Sequence, residues 1–417
     1  MSVFSVLRIT VCLLLSAHAA VCRVGCRGRD GKGVDWWTAL KVPKLSKAGT
    51  DGKEFVYVDS TMDLKEFKQG DDLASESDNP LANTMLQIYD ASDVGYVVWN
   101  DQVPGSKGIP PRTPHAHSKG VMGFDSSGGF YLQHSTPRYP DDPVKGAHKS
   151  SGEYTGIQTP QLKLGQSYLC MSLDTDNLNT VAQVVAGEGA IVFGSDMTGI
   201  SNLPDVKAII DGPGPSVAAA PFTTRGGEAF RMYRMPSGIP AYIFEGIIEP
   251  DIQSGLMVQT FTEGCRFHSY CPGQRQPSNY SFGYDTINVE KIKIPGTDFA
   301  WQAEKAPGTA KGPGDEGHSK WAISIVPGKV VCMADNNRAD TQLLDGGGAA
   351  CFTDNMKIWT LFNSIVAMTE ECEDTCPPYP PTKSGAEKVC TGKPPLDPDM
   401  DDVDVDRSSG VGLSSLA

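Results

Sequence analysis

The residues best suited to chemistry are two copies of one three-residue unit, His-Ser-Lys. They are His117-Ser118-Lys119 and His318-Ser319-Lys320, in a chain of 417 residues that contains 7 histidines. Residues i and i+2 of a strand point to the same face, so each unit would present an imidazole beside an ammonium group. Apolar runs follow both units, which predicts that each pair lies near a strand end at the rim of a sheet.

Two imidazoles and two ammonium groups suit phosphoryl transfer through nitrogen. A neutral imidazole can attack phosphorus and form a phosphohistidine, while a protonated imidazole gives its proton to the departing oxygen. The two lysines would stabilise the negative charge on the equatorial oxygens, so this chemistry needs neither a metal nor another cofactor. Nearby ammonium groups lower an imidazole pKa, and one histidine must be charged, so we expect an acid optimum.

A metal site is the alternative for the first unit. His115-Ala116-His117 would place two imidazoles on one strand face, a spacing found among metal ligands. Lys119 on the same face opposes a cation. Phosphoryl transfer is therefore the favoured interpretation.

The N-terminus has the features of a secretory signal. A basic Arg8, the apolar run 9–15 and Ala17-His18-Ala19 predict a signal peptide over residues 1–19, with a short membrane anchor as the less favoured alternative. No later run approaches the ~20 apolar residues of a transmembrane helix, so we predict no membrane partner. We expect the protein in the secretory pathway, with a lysosomal or extracellular destination.

Cysteine usage agrees with export. Removal of Cys12 with the signal peptide leaves ten of the 11 cysteines, an even number that favours disulfides. A zinc site from Cys372, Cys376 and Cys390 is the weaker alternative, since no histidine lies near them in the sequence. In an exported chain Asn279-Tyr280-Ser281 is a glycosylation sequon, with Asn279 as the acceptor.

The net charge bears on the partner. A formal charge of −14 at pH 7 argues against nucleic acid unless the acidity is localised or titrated away. Many aspartates lie in the Pro- and Asp-rich segment 391–417, which we predict to be a disordered tail rather than a calcium loop. The sequence pI is about 5.0, so near that pH the repulsion from a polyanion would largely vanish.

The body from about residue 20 to 390 has a mixed α/β pattern. Short β-branched or aromatic runs predict strands at 94–99, 121–124, 129–132, 167–173 and 321–326. Pro80 opens a predicted helix over 81–89, and Asp354 is the expected cap of another that extends to about 369. Mixed strands and helices indicate an α/β or α+β fold.

Several longer strings occur in the order found in one known family. They are Gly33-Val34-Asp35-Trp36-Trp37, Leu40-Lys41-Val42-Pro43, Trp99-Asn100-Asp101-Gln102, His117-Ser118-Lys119-Gly120-Val121, Gly129-Phe130-Tyr131-Leu132-Gln133-His134-Ser135-Thr136-Pro137, Tyr168-Leu169-Cys170-Met171-Ser172 and His318-Ser319-Lys320-Trp321. Through them the chain resembles deoxyribonuclease II, a family of lysosomal acid endonucleases related in fold to phospholipase D. The resemblance runs from about residue 26 to 372.

The resemblance implies a two-lobed sandwich with central β-sheets flanked by helices. Each lobe would carry one half-site, His117 with Lys119 and His318 with Lys320, and the two would meet at a groove for duplex DNA. By analogy His117 is the nucleophile and His318 the general acid, with the reverse left open. The implied reaction cleaves the P–O5′ bond without metal, leaving 3′-phosphate and 5′-hydroxyl ends, and a homodimer is a further possibility by analogy.

Other residues keep two interpretations. His134 matches a family histidine with an implied role, but from sequence it could equally cap a turn before Pro137. Asn100, Asp101 and Gln102 could line the site, although a turn after a strand is slightly preferred. His115 has no family counterpart and no assigned role.

The resemblance also implies a set of disulfides, and the chain departs from the phospholipase D pattern at one kind of position. The implied pairs are Cys26 with Cys170, Cys332 with Cys351, and either Cys265 or Cys271 with Cys372. The phospholipase D pattern has an aspartate five residues after each lysine, where this chain has Phe124 and Ile325. The acid that orients the nucleophile must therefore come from elsewhere or be absent.

Two other functions stay open at this stage. One is a secreted, catalytically inactive relative that binds DNA or a protein, and the other is cleavage of lipid phosphodiesters. Because both His-Ser-Lys units are intact, the nuclease is favoured.

Overall fold

The structure is a computed structural model that describes residues 24–90, 92–105, 115–143, 153–198, 203–212, 217–239, 241–261, 267–272, 282–303, 316–339 and 342–371. The predicted signal peptide, the acidic tail, Asn279 and Cys372 lie outside these ranges. Within the described residues, no helix has the length and apolar character needed to cross a membrane.

The first half of the chain forms an eight-stranded sheet. Its strands are β1 (Trp36–Lys41), β2 (Phe55–Asp59), β3 (Lys68–Gly70), β4 (Gly95–Asn100), β5 (Lys119–Asp125), β6 (Gly128–His134), β7 (Gln166–Leu173) and β8 (Val192–Asp196), in the spatial order β3-β2-β1-β7-β6-β5-β4-β8. A tight turn joins β5 to β6. It needs Gly128, which has φ +122°, and any Cβ there would lie 2.3 Å from the Leu173 carbonyl oxygen.

The second half forms a nine-stranded sheet. Its strands are β9 (Ala219–Thr223), β10 (Ala229–Met235), β11 (Leu256–Gln259), β12 (Thr286–Lys293), β13 (Ala300–Gln302), β14 (Trp321–Ser324), β15 (Val330–Ala334), β16 (Gly347–Thr353) and β17 (Val366–Thr369). The spatial order is β13-β12-β11-β14-β15-β16-β10-β9, and β17 pairs with β12. The β11–β12 pair is parallel.

Helices are few and short. They are α1 (Pro80–Asp90), α2 (Thr175–Ala186), α3 (Pro204–Asp211), a π-helix (Ile243–Ile248) continuous with α4 (Glu249–Ile252), and α5 (Met356–Asn363), with a 3₁₀ turn at Thr159–Leu162. The helix predicted after Pro80 is confirmed as α1. The helix predicted for 354–369 was too long, because its last residues form β17.

The start of α5 also differs from the prediction. Asp354 has φ 54° and lies outside the helix. The cap is Asn355 instead, whose side-chain oxygen accepts a hydrogen bond from Ile358 N at 3.1 Å.

The two sheets pack face to face around one apolar core. Alternate residues along each strand point to opposite faces, so Leu169 and Met171 of β7 enter this core while Tyr168 and Cys170 face outward. Trp36 of the first sheet meets Phe352 of the second, with ring centroids 4.9 Å apart. Helix α1 covers the outer face of the first sheet, and the π-helix covers that of the second. The prediction of a mixed α/β sandwich flanked by helices is confirmed.

Disulfides join residues on the outer faces of both sheets. The implied pairs Cys26–Cys170 and Cys332–Cys351 are present, and the second links directly opposed residues of β15 and β16. Cys271 is also disulfide-bonded. Its implied partner Cys372 lies outside the described residues, so that pairing stays a prediction.

The two disulfides should contribute unequally to stability. They close segments of 144 and 19 residues, and chain entropy makes the longer closure worth about 5 kcal/mol and the shorter about 3 kcal/mol. We therefore expect Cys26→Ala/Cys170→Ala to lower the free energy of unfolding more than Cys332→Ala/Cys351→Ala does. Urea unfolding followed by tryptophan fluorescence measures both, and a larger loss in the second variant would contradict the argument.

Candidate active site

Each His-Ser-Lys unit is hydrogen-bonded to the opposite half of the molecule. His117 N donates to Gly346 O, and His318 N donates to Gly165 O, both at 2.8 Å. Gly346 directly precedes β16 of the second sheet, and Gly165 directly precedes β7 of the first. The exchange is reciprocal, so the two units are brought to one place between the sheets. As predicted, strands begin at or just after each unit, at Lys119 and at Trp321.

The four charged or titratable side chains of these units are buried. His117, Lys119, His318 and Lys320 are between 1% and 5% exposed. Burial is the main cause of the lowered pKa values of His117 and His318, and the halves add to it, because Lys320 also lowers the pKa of His117 and Lys119 also lowers that of His318. The structure therefore places the four side chains close enough to influence one another's charge.

The first half-site has a defined imidazole orientation. His117 Nδ1 lies 2.9 Å from the Asp335 carbonyl oxygen, which can only accept, so Nδ1 carries the proton. In the neutral ring Nε2 therefore keeps its lone pair. Burial, followed by the charge of Lys119, lowers the pKa of His117 to about 3. Near neutral pH this imidazole is uncharged.

Asp101 lies against both members of this half-site. One carboxylate oxygen is 2.6 Å from Lys119 Nζ, and the other is 3.5 Å from His117 Nε2. Burial raises the pKa of Asp101, but Lys119 and His117 outweigh it and bring the value down to about 2. Asp101 is thus an ionised site residue.

Asn100 and Asp101 form the turn preferred from the sequence, and Asp101 in addition lies against the first half-site. The Asn100 amide donates to Thr136 O and Tyr139 O at 3.1 and 2.9 Å, and its oxygen accepts from Gln102 N. Asn100 therefore builds the turn that delivers Asp101 to the site. In the sequence, the sign that Asp101 could reach the site was its position directly after a buried strand. The residues that it contacts, His117 and Lys119, lie in a separate segment and could not be identified from spacing.

The second half-site mirrors the first. His318 Nδ1 lies 3.0 Å from Gln166 Oε1, an acceptor from the opposite half. Lys320 Nζ is 3.3 and 3.4 Å from the two ring nitrogens and donates to the His318 carbonyl at 3.1 Å. Burial, followed by Lys320, holds the pKa of His318 well below its usual range. With its pKa lowered in this way, the imidazole is also neutral near neutral pH.

Two further carboxyls lie behind the first half-site and were not predicted. Asp335 accepts from Gly348 N at 2.9 Å, and burial raises its pKa to about 7. Glu188 lies near Asp335 and Ser118, and burial followed by Asp335 raises its pKa well above the usual value. Neither carboxyl occupies the position of the phospholipase D aspartate. The acceptor that orients His117 is the Asp335 main chain.

His134 lies behind the site in an aromatic cluster. Its Nδ1 accepts from Thr136 N at 3.2 Å, while its ring stacks on Tyr168 and meets the edge of Tyr139. Burial, followed by Lys119, lowers its pKa to about 3. The contact with Thr136 is the turn cap considered from the sequence, and the charge of Lys119 still reaches the ring.

His115 lies at the edge of the site. It is half-buried, and Asp101 and Lys119 are the charged groups that act on it. Across the described part of the chain, no group of three His, Cys, Asp or Glu side chains is arranged to hold a metal ion.

Comparisons with a family model and with individual known proteins indicate the same family. The sequence model of the Deoxyribonuclease II family matches residues 25–372. Cell-death-related nuclease 7 of Caenorhabditis elegans is 27% identical over 367 residues, covering 85% of this chain and 89% of the relative. Deoxyribonuclease-2-alpha of Mus musculus is 26% identical, covering 84% of this chain and 94% of the relative. A putative deoxyribonuclease-2 of Burkholderia thailandensis is 28% identical, covering 80% and 89%. With a matched segment that includes both half-sites, the chain belongs to the deoxyribonuclease II family.

Proposed function

We propose that the protein is an acid endodeoxyribonuclease that hydrolyses DNA phosphodiesters without a metal, through a phosphohistidine on His117. The observation that carries the proposal is the meeting of two His-Lys pairs in one buried site, each imidazole held at Nδ1 by an oxygen of the opposite half. An inactive relative that only binds DNA would have no need of both oriented imidazoles.

In the first step, the Nε2 lone pair of His117 attacks phosphorus and the P–O5′ bond breaks. The departing O5′ takes the proton of the His318 imidazolium and leaves as a 5′-hydroxyl. The ammonium groups of Lys119 and Lys320 bind the non-bridging oxygens, where negative charge develops. The product of this step is a phosphohistidine still esterified to the 3′ oxygen.

In the second step, water attacks phosphorus and gives a proton to His318. The P–N bond breaks, its electron pair returns to His117 Nε2, and a 3′-phosphate end is released. His318 is protonated again and ready for the next cycle. Lys119 and Lys320 act on the same oxygens in both steps.

The acid range follows from the charges of the site. Before substrate binds, burial and then the two lysines lower the pKa of His318 and keep its imidazole neutral. A bound phosphodiester offsets the lysines and raises the His318 pKa, so substrate binding takes up a proton. Binding therefore strengthens as the pH falls, which supports a working range in the lysosome or another acidic compartment reached by the secretory pathway. A homodimer is proposed by analogy alone.

Substitution of either histidine tests the assignment. We expect wild-type protein to nick supercoiled plasmid near pH 5 in excess EDTA, and His117→Ala and His318→Ala each to lose at least about a hundredfold in rate. Loss of wild-type nicking in EDTA would overturn the metal-free mechanism. If the wild-type protein shifts plasmid on a gel but does not nick it at any pH, the protein is an inactive relative that only binds DNA. An assay with phosphatidylcholine vesicles tests the alternative of lipid cleavage.

The identity of the nucleophile is tested with thymidine 3′-(p-nitrophenyl phosphate). The leaving group departs as p-nitrophenolate and needs no proton. His318→Ala should therefore release one equivalent of it in a burst and accumulate a phosphoryl adduct on the His117 peptide. Mass spectrometry of a digest kept at alkaline pH locates the adduct, since phosphohistidine is acid-labile. An adduct on the His318 peptide of His117→Ala would reverse the roles, and no adduct in either variant would favour direct attack by water.

Buried carboxyls should also make the fold more stable in acid. Burial, followed by Glu245, raises the pKa of Glu249 to about 9, and burial raises that of Asp345 to about 7. When folding raises the pKa of a group, the stability linked to that group is complete below its pKa in the unfolded state. This stability is lost as the pH rises through its pKa in the folded state. The free energy of unfolding should therefore fall as the pH rises from about 4.5 to about 9, and it stays at the lower value above that range.

Glu249→Gln isolates this effect, because the amide resembles the protonated acid and can still accept from Thr286 Oγ1. We expect it to match the wild type near pH 4.5 and to be more stable near pH 8, by up to about 5 kcal/mol. Urea unfolding at the two pH values gives the difference, with the exposed Glu153→Gln as the matched control. An equal shift at both pH values would exclude titration as the cause.

A further inference from the structure

The proposed mechanism leaves His115 without a role. Its carbonyl oxygen accepts a hydrogen bond from Gly346 N at 2.9 Å, in the same backbone exchange that holds His117. Its ring Nδ1 is buried and has no hydrogen-bond partner among the described residues. A buried ring nitrogen without a partner is costly, so a state of the site in which this nitrogen is paired would be favoured.

Asp101 occupies the place that a substrate phosphate needs. Its carboxylate lies between Lys119 Nζ and His117 Nε2, at 2.6 and 3.5 Å. Those two atoms are the proposed anion-binding group and the proposed nucleophile. Two anions at one point repel strongly in a buried site, so a phosphodiester that reaches His117 must displace the carboxylate.

The charges around His115 indicate where the displaced carboxylate goes. Asp101 and Lys119 act on His115, and Asp345, in the segment before β16, acts on the same two groups. Burial raises the pKa of Asp345 to about 7, so at acid pH it is neutral and does not compete. Glu188 lies beside Ser118 and faces Asp335. When the substrate phosphate pairs with Lys119, protonated His115 is the neighbouring cation that can still pair with Asp101.

We infer that His115 is a positioning residue, which receives the Asp101 carboxylate when a substrate phosphodiester takes its place beside Lys119 and His117. This inference rests on the proposed function. Burial holds the pKa of His115 below its usual value, and Asp101 opposes that effect. In acid the imidazolium pairs with the displaced carboxylate. At neutral pH His115 is uncharged, and Asp101 stays on Lys119 as a competitor of the substrate.

Substitutions of His115 should change KM rather than kcat. For a duplex oligonucleotide near pH 5, we expect His115→Ala to raise KM about tenfold and to leave kcat within about twofold, with little effect near pH 7.5. His115→Lys keeps a positive charge at neutral pH and should extend activity in that direction, moving the alkaline limb of the kcat/KM profile upward. His268→Ala, whose partner Glu370 lies outside the site, is the control.

A double-mutant cycle with Asp101 separates this role from a structural one. Asp101→Asn removes the charge that must be relocated, so adding His115→Ala to it should change KM less than about twofold. Equilibrium binding of a fluorescent duplex in the His318→Ala background gives the same cycle without turnover. A purely structural role would produce the same loss in both backgrounds.

The outcomes are distinguishable from failure of the proposed function. If His117→Ala remains active, the proposed site is wrong. If His117→Ala is inactive while His115→Ala keeps the wild-type KM and pH profile, the site stands and the inference about His115 is overturned. An undiminished effect of His115→Ala in the Asp101→Asn protein overturns it as well.

Discussion

The whole site depends on a reciprocal exchange of main-chain hydrogen bonds between the two halves of the chain. Each His-Ser-Lys unit leads into a strand of its own sheet, and its histidine bonds to the residue that precedes a strand of the other sheet, Gly346 for the first unit and Gly165 for the second. Backbone groups buried between the sheets need such partners, so the exchange is required by hydrogen bonding before it serves any chemistry. Neither half could build the site alone.

The same exchange sets the chemistry of the imidazoles. With Nδ1 of His117 held by a carbonyl oxygen, only Nε2 can act as a base or nucleophile. The side-chain oxygen of Gln166 holds His318 in the same way. These neutral acceptors replace the carboxylates of the phospholipase D pattern. The acceptors that orient the two rings therefore carry no net charge, and at His117 the nearby carboxylate of Asp101 raises the pKa only partly against burial and Lys119.

Burial makes the charges of the site depend on one another. Four cationic or titratable groups are buried together, and in the free protein both imidazoles are neutral near neutral pH. Asp101 balances Lys119 in the free protein, while the carboxyls of Asp335 and Glu188 hold protons behind the site. A phosphodiester would complete this balance, because it brings one negative charge to a site that contains two lysines.

Local spacing determined much of this protein. The two His-Ser-Lys strings, the apolar runs after them and the start of α1 at Pro80 could all be interpreted from neighbouring residues, because strand alternation and helix capping act over a few positions. The same local rules failed at residues 366–369, which continue the apolar pattern of α5 but pair with β12. Edge pairing with a distant strand outweighed local periodicity there.

Tertiary structure alone decided that Asp101 reaches Lys119 and that Asp335, 218 residues from His117, orients its ring. Such contacts are set by how two sheets pack, and no spacing within either half encodes them.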